Sequence, residues 1–192
     1  MHTNLIPDQR LVISYLEGNE AALEMLIRRY KQKVMTSIYM LVHDRYLAED
    51  IFQETFIKVI HSLRQGKYQH EGKFLPWVIR IARNLCIDHI RRRKKMPAIT
   101  DSEGKDVFGY IKVDEPNAQD RIEFNQTNSL LLSLIEKLPE EQREVLILRH
   151  YGDLSFKEIA DLTGCSINTA LGRMRYAILN LRKMMVFAEQ RQ

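Results

Sequence analysis

The sequence is poor in the residues that mark several protein classes. Its 192 residues include only 8 glycines and 5 prolines, which argues against a β-sandwich, a barrel or a disordered chain. The 2 cysteines, Cys86 and Cys165, are too few for a disulfide framework, and no C-x-x-C spacing occurs. No apolar run approaches the ~20 residues that span a bilayer, and polar residues among positions 1–10 argue against a signal peptide. We therefore expect a cytoplasmic protein without membrane insertion.

The net charge of +4 is small, but it is distributed unevenly along the chain. Residues 73–95 contain eight lysines and arginines and one acidic residue, and residues 166–192 contain five and one. Residues 96–165, between these segments, carry a net negative charge. Two cationic segments separated by acidic sequence predict two contacts with a polyanion such as a nucleic acid.

Hydrophobic periodicity predicts an all-α protein with two small helical domains. Apolar residues recur at intervals of three and four over four helices within residues 8–95, and again over residues 122–186. Residues 96–121 lack this period and are acidic, so we interpret them as a flexible linker. We also expect the acidic linker to discourage DNA binding until the domains are separated.

Capping residues predict where several helices begin. Asn19 and Asp44 can each cap a helix of the first domain. Pro139 is predicted at the first position of a helix, with two glutamates after it at the positive end of the dipole. Ser155 and Glu158 have the spacing of a capping box, in which a hydroxyl and a carboxylate three residues later satisfy each other's backbone N–H groups.

Residues 155–180 have the layout of a helix-turn-helix, with a short helix, a turn at Gly164 and a longer helix. We predict that the apolar residues of the longer helix, including Leu171, face the core. The other side then carries the candidates for reading a major groove: Ser166, Asn168, Thr169, Gly172, Arg173, Arg175 and Tyr176. Glycine inside a helix costs about 1 kcal/mol relative to alanine, and close approach of a partner would explain it. An ordinary helical hairpin with a solvated face is the alternative.

The helix from Phe74 to about Arg93 has one apolar stripe and one cationic stripe. A cationic face beside the amide of Asn84 suits a phosphate backbone and some base reading. The candidates on this helix and the loop before it are Lys67, Lys73, Arg80, Arg83, Asn84, Ile87, Arg91, Arg92, Arg93 and Lys94. A solvated helix end explains the basic run equally well. We assign Trp77 to the core rather than to a base stack.

The helix after Asp44 presents an acidic outward face. Its residues are Glu49, Asp50, Gln53, Glu54, Ile57 and Lys58. Three interpretations are open: a solvated surface, a metal or acid–base site on Asp50 and Glu54, or a docking surface for a basic protein. No histidine stands at ligand spacing beside the two carboxylates, which disfavours a metal, a cofactor and an enzyme.

Three stretches resemble motifs of bacterial sigma factors, and they occur in the family's order. Residues 48–58 (AEDIFQETFIK) resemble the motif that binds core RNA polymerase. Residues 77–92 resemble the helix that melts the promoter and reads the −10 element, and residues 138–175 resemble the domain that reads the −35 element. The resemblance covers about residues 8–95 and 122–186, and the two-domain size is similar to the extracytoplasmic function (ECF) subfamily.

The resemblance implies a non-catalytic subunit without a cofactor, whose partners are core RNA polymerase and promoter DNA, duplex at −35 and melted at −10. It implies polymerase contacts on the acidic face, with Phe56 packed inward. It also implies that Asn84 reads an extruded −10 base together with the loop of residues 64–73, and that the helix after Ser166 reads the −35 element. An anti-sigma protein is a further partner that the resemblance allows.

The sequence departs from the family pattern at three places, one of which is a slightly longer loop at residues 65–73. Pro76 stands where many members have threonine. The last helix opens with Asn168-Thr169-Ala170-Leu171-Gly172-Arg173 in place of the usual Gly-Thr-Val-Lys/Arg-Ser-Arg. Leu171 thus replaces a common cation, and because we assign it to the apolar side, we do not transfer that contact and expect an atypical −35 sequence.

A stand-alone helix-turn-helix regulator that acts as a dimer on a palindrome is the alternative function. It would use the second domain alone. It would not explain the basic helix that begins at Phe74.

Overall fold

The computed structural model describes residues 6–68, 73–95 and 126–189, so the linker prediction for residues 96–121 lies outside the described residues. The described residues form eight helices and no strand, which confirms the all-α class. None of these helices is long and apolar enough to cross a membrane. The helices are α1 (Asp8–Leu16), α2 (Glu20–Val42), α3 (Arg45–Arg64), α4 (Phe74–Lys95), α5 (Gln126–Glu136), α6 (Glu140–His150), α7 (Phe156–Thr163) and α8 (Ile167–Glu189).

Side-chain caps begin α2 and α3 as predicted. The Asn19 side chain accepts a hydrogen bond from the N–H of Ala21 at 3.2 Å, and Asp44 accepts one from the N–H of Leu47 at 3.0 Å. Each satisfies a backbone donor that has no partner within the helix. Gly18, with φ of 101°, separates α1 from α2 in a conformation that favours glycine.

The second half also begins its helices at the predicted caps, with one correction. The capping box of Ser155 and Glu158 is present, and Gly164 ends α7 with φ of 68°. The hydroxyl of Ser166 accepts from the N–H of Thr169 at 3.0 Å and caps α8. The prediction that Pro139 is the first helical residue is wrong. Its ψ of 141° is extended, so it is the cap residue and α6 begins at Glu140.

The first four helices enclose an apolar core. Leu26, Val34, Val59, Phe74 and Val78 are fully shielded from solvent there. The half-buried ring of Trp77 packs against this core, 4.3 Å from the ring of Tyr68 between centroids, which confirms its assignment to the core. Thr55 is buried too, and its hydroxyl donates to the carbonyl of Ile51 at 2.7 Å.

The second half packs directly against the first. Leu148 and Leu154 belong to the same buried cluster as the core of the first half. Met40 of α2 is buried in turn among residues of α5, α6 and α8. Ile79 of α4 lies against the turn between α6 and α7, where a Cβ built on Gly152 would come within 3.0 Å of its Cγ2 atom. The helix-turn-helix therefore lies on α2 and α4.

Candidate polymerase and DNA interfaces

The six residues predicted for the acidic face of α3 all project into solvent. Two ion pairs at i,i+4 spacing stiffen this face: Arg45 to Glu49 and Lys58 to Glu54, both at 3.2 Å. Ile57 is 54% exposed among these charges, whereas Phe56 points inward and is 5% exposed. Ile57 is thus an exposed apolar side chain on an otherwise polar and charged face.

The acidic face lacks the composition of a metal site. Within the described parts of the chain, no group of three or more histidine, cysteine, aspartate or glutamate side chains is placed to hold a metal ion. Asp50 and Glu54 therefore belong to no such group among the described residues.

The polar residues of α4 divide into two sets. Asn84 and the run Arg91, Arg92 and Arg93 are exposed, as the sequence predicts. Lys67, in the loop before α4, is exposed as well. The backbone of Lys94 lies in α4, but its side chain is outside the described part of the structure.

Acidic residues of the second half bind both Arg80 and Arg83, whose side chains are 42% and 15% exposed. Arg83 forms an ion pair with Glu144, with Nη2 and Oε1 2.8 Å apart. Arg80 and Lys73 both reach Oε1 of Glu158, at 3.0 and 3.2 Å. Sequence reasoning missed both glutamates as partners. The only sequence feature that pointed to an acidic partner was the net negative charge of residues 125–165.

Glu158 is held in its charged form despite being largely shielded. Burial alone would raise its pKa, but hydrogen bonds from the hydroxyl and backbone N–H of Ser155, together with Lys73, lower the pKa to about 2. This carboxylate therefore remains a fixed negative charge beside the cations of the first half.

The two cysteines lie in different surroundings. Burial raises the pKa of the Cys86 thiol to about 12, so this side chain packs as a small apolar group rather than reacting as a thiolate. Cys165 is partly exposed in the turn of the helix-turn-helix, where its sulfur lies 3.3 Å from the hydroxyl of Thr163.

The start of α8 presents the residues predicted to read a major groove. Asn168, Thr169, Arg175 and Tyr176 are exposed. A Cβ built on Gly172 would meet no atom within 4 Å, so packing inside the described structure does not require glycine there. The remaining two residues have partners within the chain. They are Ser166, which caps the helix, and Arg173, which lies 3.1 Å from Glu141.

The prediction that Leu171 faces the core is wrong. Leu171 is 44% exposed, and at ~100° per residue it lies about 60° around the helix from the exposed Asn168. The buried side of α8 is narrower than predicted and is centred on Ala170 and Ala177. At ~100° per residue, Leu171 is a quarter turn away from that centre.

Comparisons with known proteins find matches in both halves of the chain. The sigma-70 region 2 family matches residues 26–96, and the sigma-70 region 4 family matches residues 129–174. The RNA polymerase sigma-H factor of Pseudomonas aeruginosa is 29% identical over 171 residues, covering 87% of this chain and 88% of the relative. The ECF RNA polymerase sigma factor SigW of Bacillus subtilis is 28% identical over 173 residues, covering 88% and 91%.

A solved structure shares the fold. The sigma factor RpoE of Bartonella quintana, in complex with the anti-sigma factor NepR, superposes with a TM-score of 0.63 at 20% identity, covering 85% of this chain and 96% of that chain.

The fold and the two matched regions define a two-part helical transcription protein with a helix-turn-helix in its second part. The chain belongs to the ECF group of the sigma-70 family of RNA polymerase sigma factors. Its function is accordingly to bind RNA polymerase and recognise promoters. Sigma factors are non-enzymatic initiation factors.

Proposed function

We propose that the acidic face of α3 is the surface that docks on core RNA polymerase. Four of its six residues carry charge. Three of these four, Glu49, Glu54 and Lys58, are held in i,i+4 ion pairs, and Ile57 offers an exposed apolar contact among them. Charges around an exposed apolar residue favour a specific, steered protein contact. The surrounding core, with Phe56 and Thr55 buried beneath, keeps the face on one rigid helix.

The exposed end of α4 is the proposed −10 surface. Asn84 presents a side chain that can both donate and accept hydrogen bonds to a base edge. Arg91, Arg92 and Arg93 follow within three turns, where they can contact phosphates of the melted strand. Lys67 and Lys73 flank the preceding loop and extend this positive surface toward the start of the helix. In the proposed domain division, residues 8–95 form this unit.

The start of α8 is the proposed −35 surface, in the unit of residues 122–186. Asn168, Thr169 and Tyr176 supply polar groups for base edges, and Arg175 supplies a phosphate contact. The open space over Gly172 lets a DNA backbone or base approach the helix closely. Leu171 takes part in this surface as an apolar group, which suits contact with a thymine methyl rather than a phosphate.

The observation that carries this assignment is the combination of three separate surfaces on one chain. A stand-alone regulator would need only the α8 surface, whereas a sigma factor needs all three. We further infer that the chain acts in the cytoplasm, without enzymatic activity of its own. RpoE of Bartonella quintana is bound to an anti-sigma factor in its solved structure, and a protein of that kind is a candidate partner here as well.

The test is transcription in vitro from a genomic promoter library with purified core polymerase and this protein. Alignment of the start sites should reveal two shared elements, near −10 and −35. Initiation that is unchanged when the protein is omitted would reject the proposal.

A further inference from the structure

Tyr46 lies on the outward side of α3, in line with the acidic face. Its side chain is 75% exposed, the highest value among the large hydrophobic side chains of the described residues. At ~100° per residue, Tyr46 lies about 20° around the helix from Ile57 and about 40° from Asp50. It stands two residues before the stretch of residues 48–58 that resembles the family's polymerase-binding motif. The docking face therefore continues for one turn toward the start of α3.

The start of α3 holds Tyr46 in a fixed position. The side chain of Asp44 accepts a hydrogen bond from the N–H of Leu47 at 3.0 Å, and its carbonyl accepts one from the N–H of Ala48 at 2.9 Å. Ala48 is 1% exposed and attaches this turn to the core. With its backbone fixed, Tyr46 has only its side-chain torsions to order when it binds a partner, so the entropic cost of that contact is small.

The exposure of Tyr46 is unusual among the tyrosines of this protein. Seven of the eight tyrosines lie in the described parts of the chain, and five of these seven are buried or half-buried. The two exposed ones are Tyr46 and Tyr176, and Tyr176 belongs to the proposed −35 surface. Single exposed apolar residues are common on protein surfaces. Tyr46 and Ile57, however, stand on one side of one helix, which indicates a shared binding surface.

We propose that Tyr46 is a contact residue for core RNA polymerase, and that its ring and the Ile57 side chain occupy apolar recesses at the two ends of the docking face. This inference rests on the proposed docking role of α3. The two residues are eleven positions apart in the helix, which corresponds to about 16 Å along its axis, with Asp50 and Gln53 between them. The polymerase surface that fits has two apolar recesses at that spacing, with a cation opposite Asp50.

The ring and the carboxylates of this face contribute to binding in different ways. A large aromatic side chain that becomes fully buried in a partner slows dissociation, and such anchors carry much of the binding free energy. Carboxylates at the edge, such as Glu54, mainly raise the rate of association, and salt weakens their effect. Loss of the ring should therefore lower affinity at high and low salt alike, whereas loss of a carboxylate should matter less at high salt.

Tyr46→Ala is the test variant, and Tyr46→Phe keeps the ring while removing the hydroxyl. The matched control is Ile13→Ala, which also truncates an exposed apolar side chain. Ile13 is 48% exposed on α1, a helix that carries none of the three proposed surfaces. Alanine is the residue most favoured in helices, so both truncations should leave their helices intact. A circular dichroism melt of each variant checks that the fold is retained.

The first measurement is the binding of the full-length protein, without DNA, to immobilised core polymerase at low and at high salt. We expect Tyr46→Ala to bind about tenfold more weakly than wild type at both salt concentrations, mainly because it dissociates faster. Tyr46→Phe and Ile13→Ala should stay within about twofold of wild type. Equal affinities of Tyr46→Ala and Ile13→Ala would overturn the proposal. An equal loss in Tyr46→Phe and Tyr46→Ala would overturn it too, since the ring would then not be the group that binds.

The second measurement reports directly whether the polymerase covers the ring in the wild-type protein. Tetranitromethane nitrates exposed tyrosine rings, and trypsin, which cuts after Arg45 and Lys58, releases Tyr46 in a peptide of its own for mass spectrometry. Tyr46 should be nitrated in the free protein and protected when core polymerase is bound without DNA. Equal nitration with and without core polymerase would overturn the proposal. Protection that rises with the concentration of the free protein alone would overturn it as well, because a second copy would then cover Tyr46.

The two proposals fail in different ways. If Tyr46→Ala binds core polymerase like wild type while Asp50→Ala and Glu54→Ala bind more weakly, only the role of Tyr46 is wrong. If none of these three variants loses affinity, the proposed docking surface itself is wrong.

Discussion

Ser155 and Glu158 bind each other at the start of α7. Glu158 Oε2 accepts from the backbone N–H of Ser155 at 2.8 Å and from its hydroxyl at 2.7 Å. The Ser155 hydroxyl oxygen accepts in return from the N–H of Glu158 at 3.3 Å. The second carboxylate oxygen binds Arg80 and Lys73 of the first half. One carboxylate therefore begins the helix-turn-helix and joins it to α4.

This arrangement predicts a specific dependence of stability on pH. The pKa of Glu158 is lowered to about 2 from its usual 4.5. A carboxyl with a lowered pKa in the folded state stabilises that state fully above the unfolded pKa, and the contribution is lost as pH falls toward 2. Glu158→Gln lacks the titrating group. The difference in free energy of unfolding between wild type and this variant should therefore shrink between pH 4.5 and about 2, measured by urea denaturation. A difference that stays constant would contradict the account.

Removing carboxylates from the acidic face should weaken polymerase binding. Asp50→Ala and Glu54→Ala should each lower the affinity for core polymerase by about five- to tenfold, because rim charges steer and orient the contact. Both residues are exposed, so the melting temperature should change little. Glu24→Ala is the matched control, since it breaks a similar i,i+4 pair, with Arg28, on α2. Core affinity that is the same for all three variants would reject the docking surface.

Asn84→Ala should affect promoter opening in a way that depends on sequence. An amide that reads a base contributes only when the correct base is present, at about 1–3 kcal/mol. Open-complex formation by the holoenzyme should fall about tenfold or more at a matched promoter, and much less at one mutated at −10. His89→Ala, at another exposed position of α4, serves as the control. An equal loss at both promoters would mean that Asn84 reads no base.

Gly172→Ala should raise the stability of the free protein and lower transcription from promoters that need the −35 element. No atom in the described structure would contact the added Cβ, and alanine is favoured over glycine in a helix by about 1 kcal/mol. The free protein should therefore become more stable to urea. If DNA approaches the helix at Gly172, transcription from promoters that need the −35 element should fall at the same time. Unchanged transcription would show that the glycine has no role in DNA binding.

Local sequence signals predicted most of the individual helices. Asn19, Asp44 and Ser155 mark helix starts because a side-chain oxygen satisfies backbone N–H groups within three residues. That information is contained in a few adjacent positions. The exposed acidic face of α3 was predictable for the same reason, since helical periodicity alone places Asp50, Glu54 and Ile57 opposite the buried Val59.

The contact between the halves could not be predicted in this way. Arg83 and Glu144 are separated by 61 residues, and no local pattern relates them. Ile79 lies outside the apolar stripe that faces α2 and α3, so its burial depends on the second half covering α4. Leu171 shows the converse, because an apolar residue at the edge of a stripe stays exposed when the small domain has no further surface to cover it.

Promoter binding with and without core polymerase tests whether this protein recognises promoters as a subunit of RNA polymerase. A duplex taken from an aligned start site is titrated with the free protein, with core polymerase alone and with both together. We expect weak, salt-sensitive binding by the free protein and tight, sequence-specific binding only when both are present. Tight binding of the free protein to a palindromic site, unaffected by polymerase, would contradict it and indicate a stand-alone regulator.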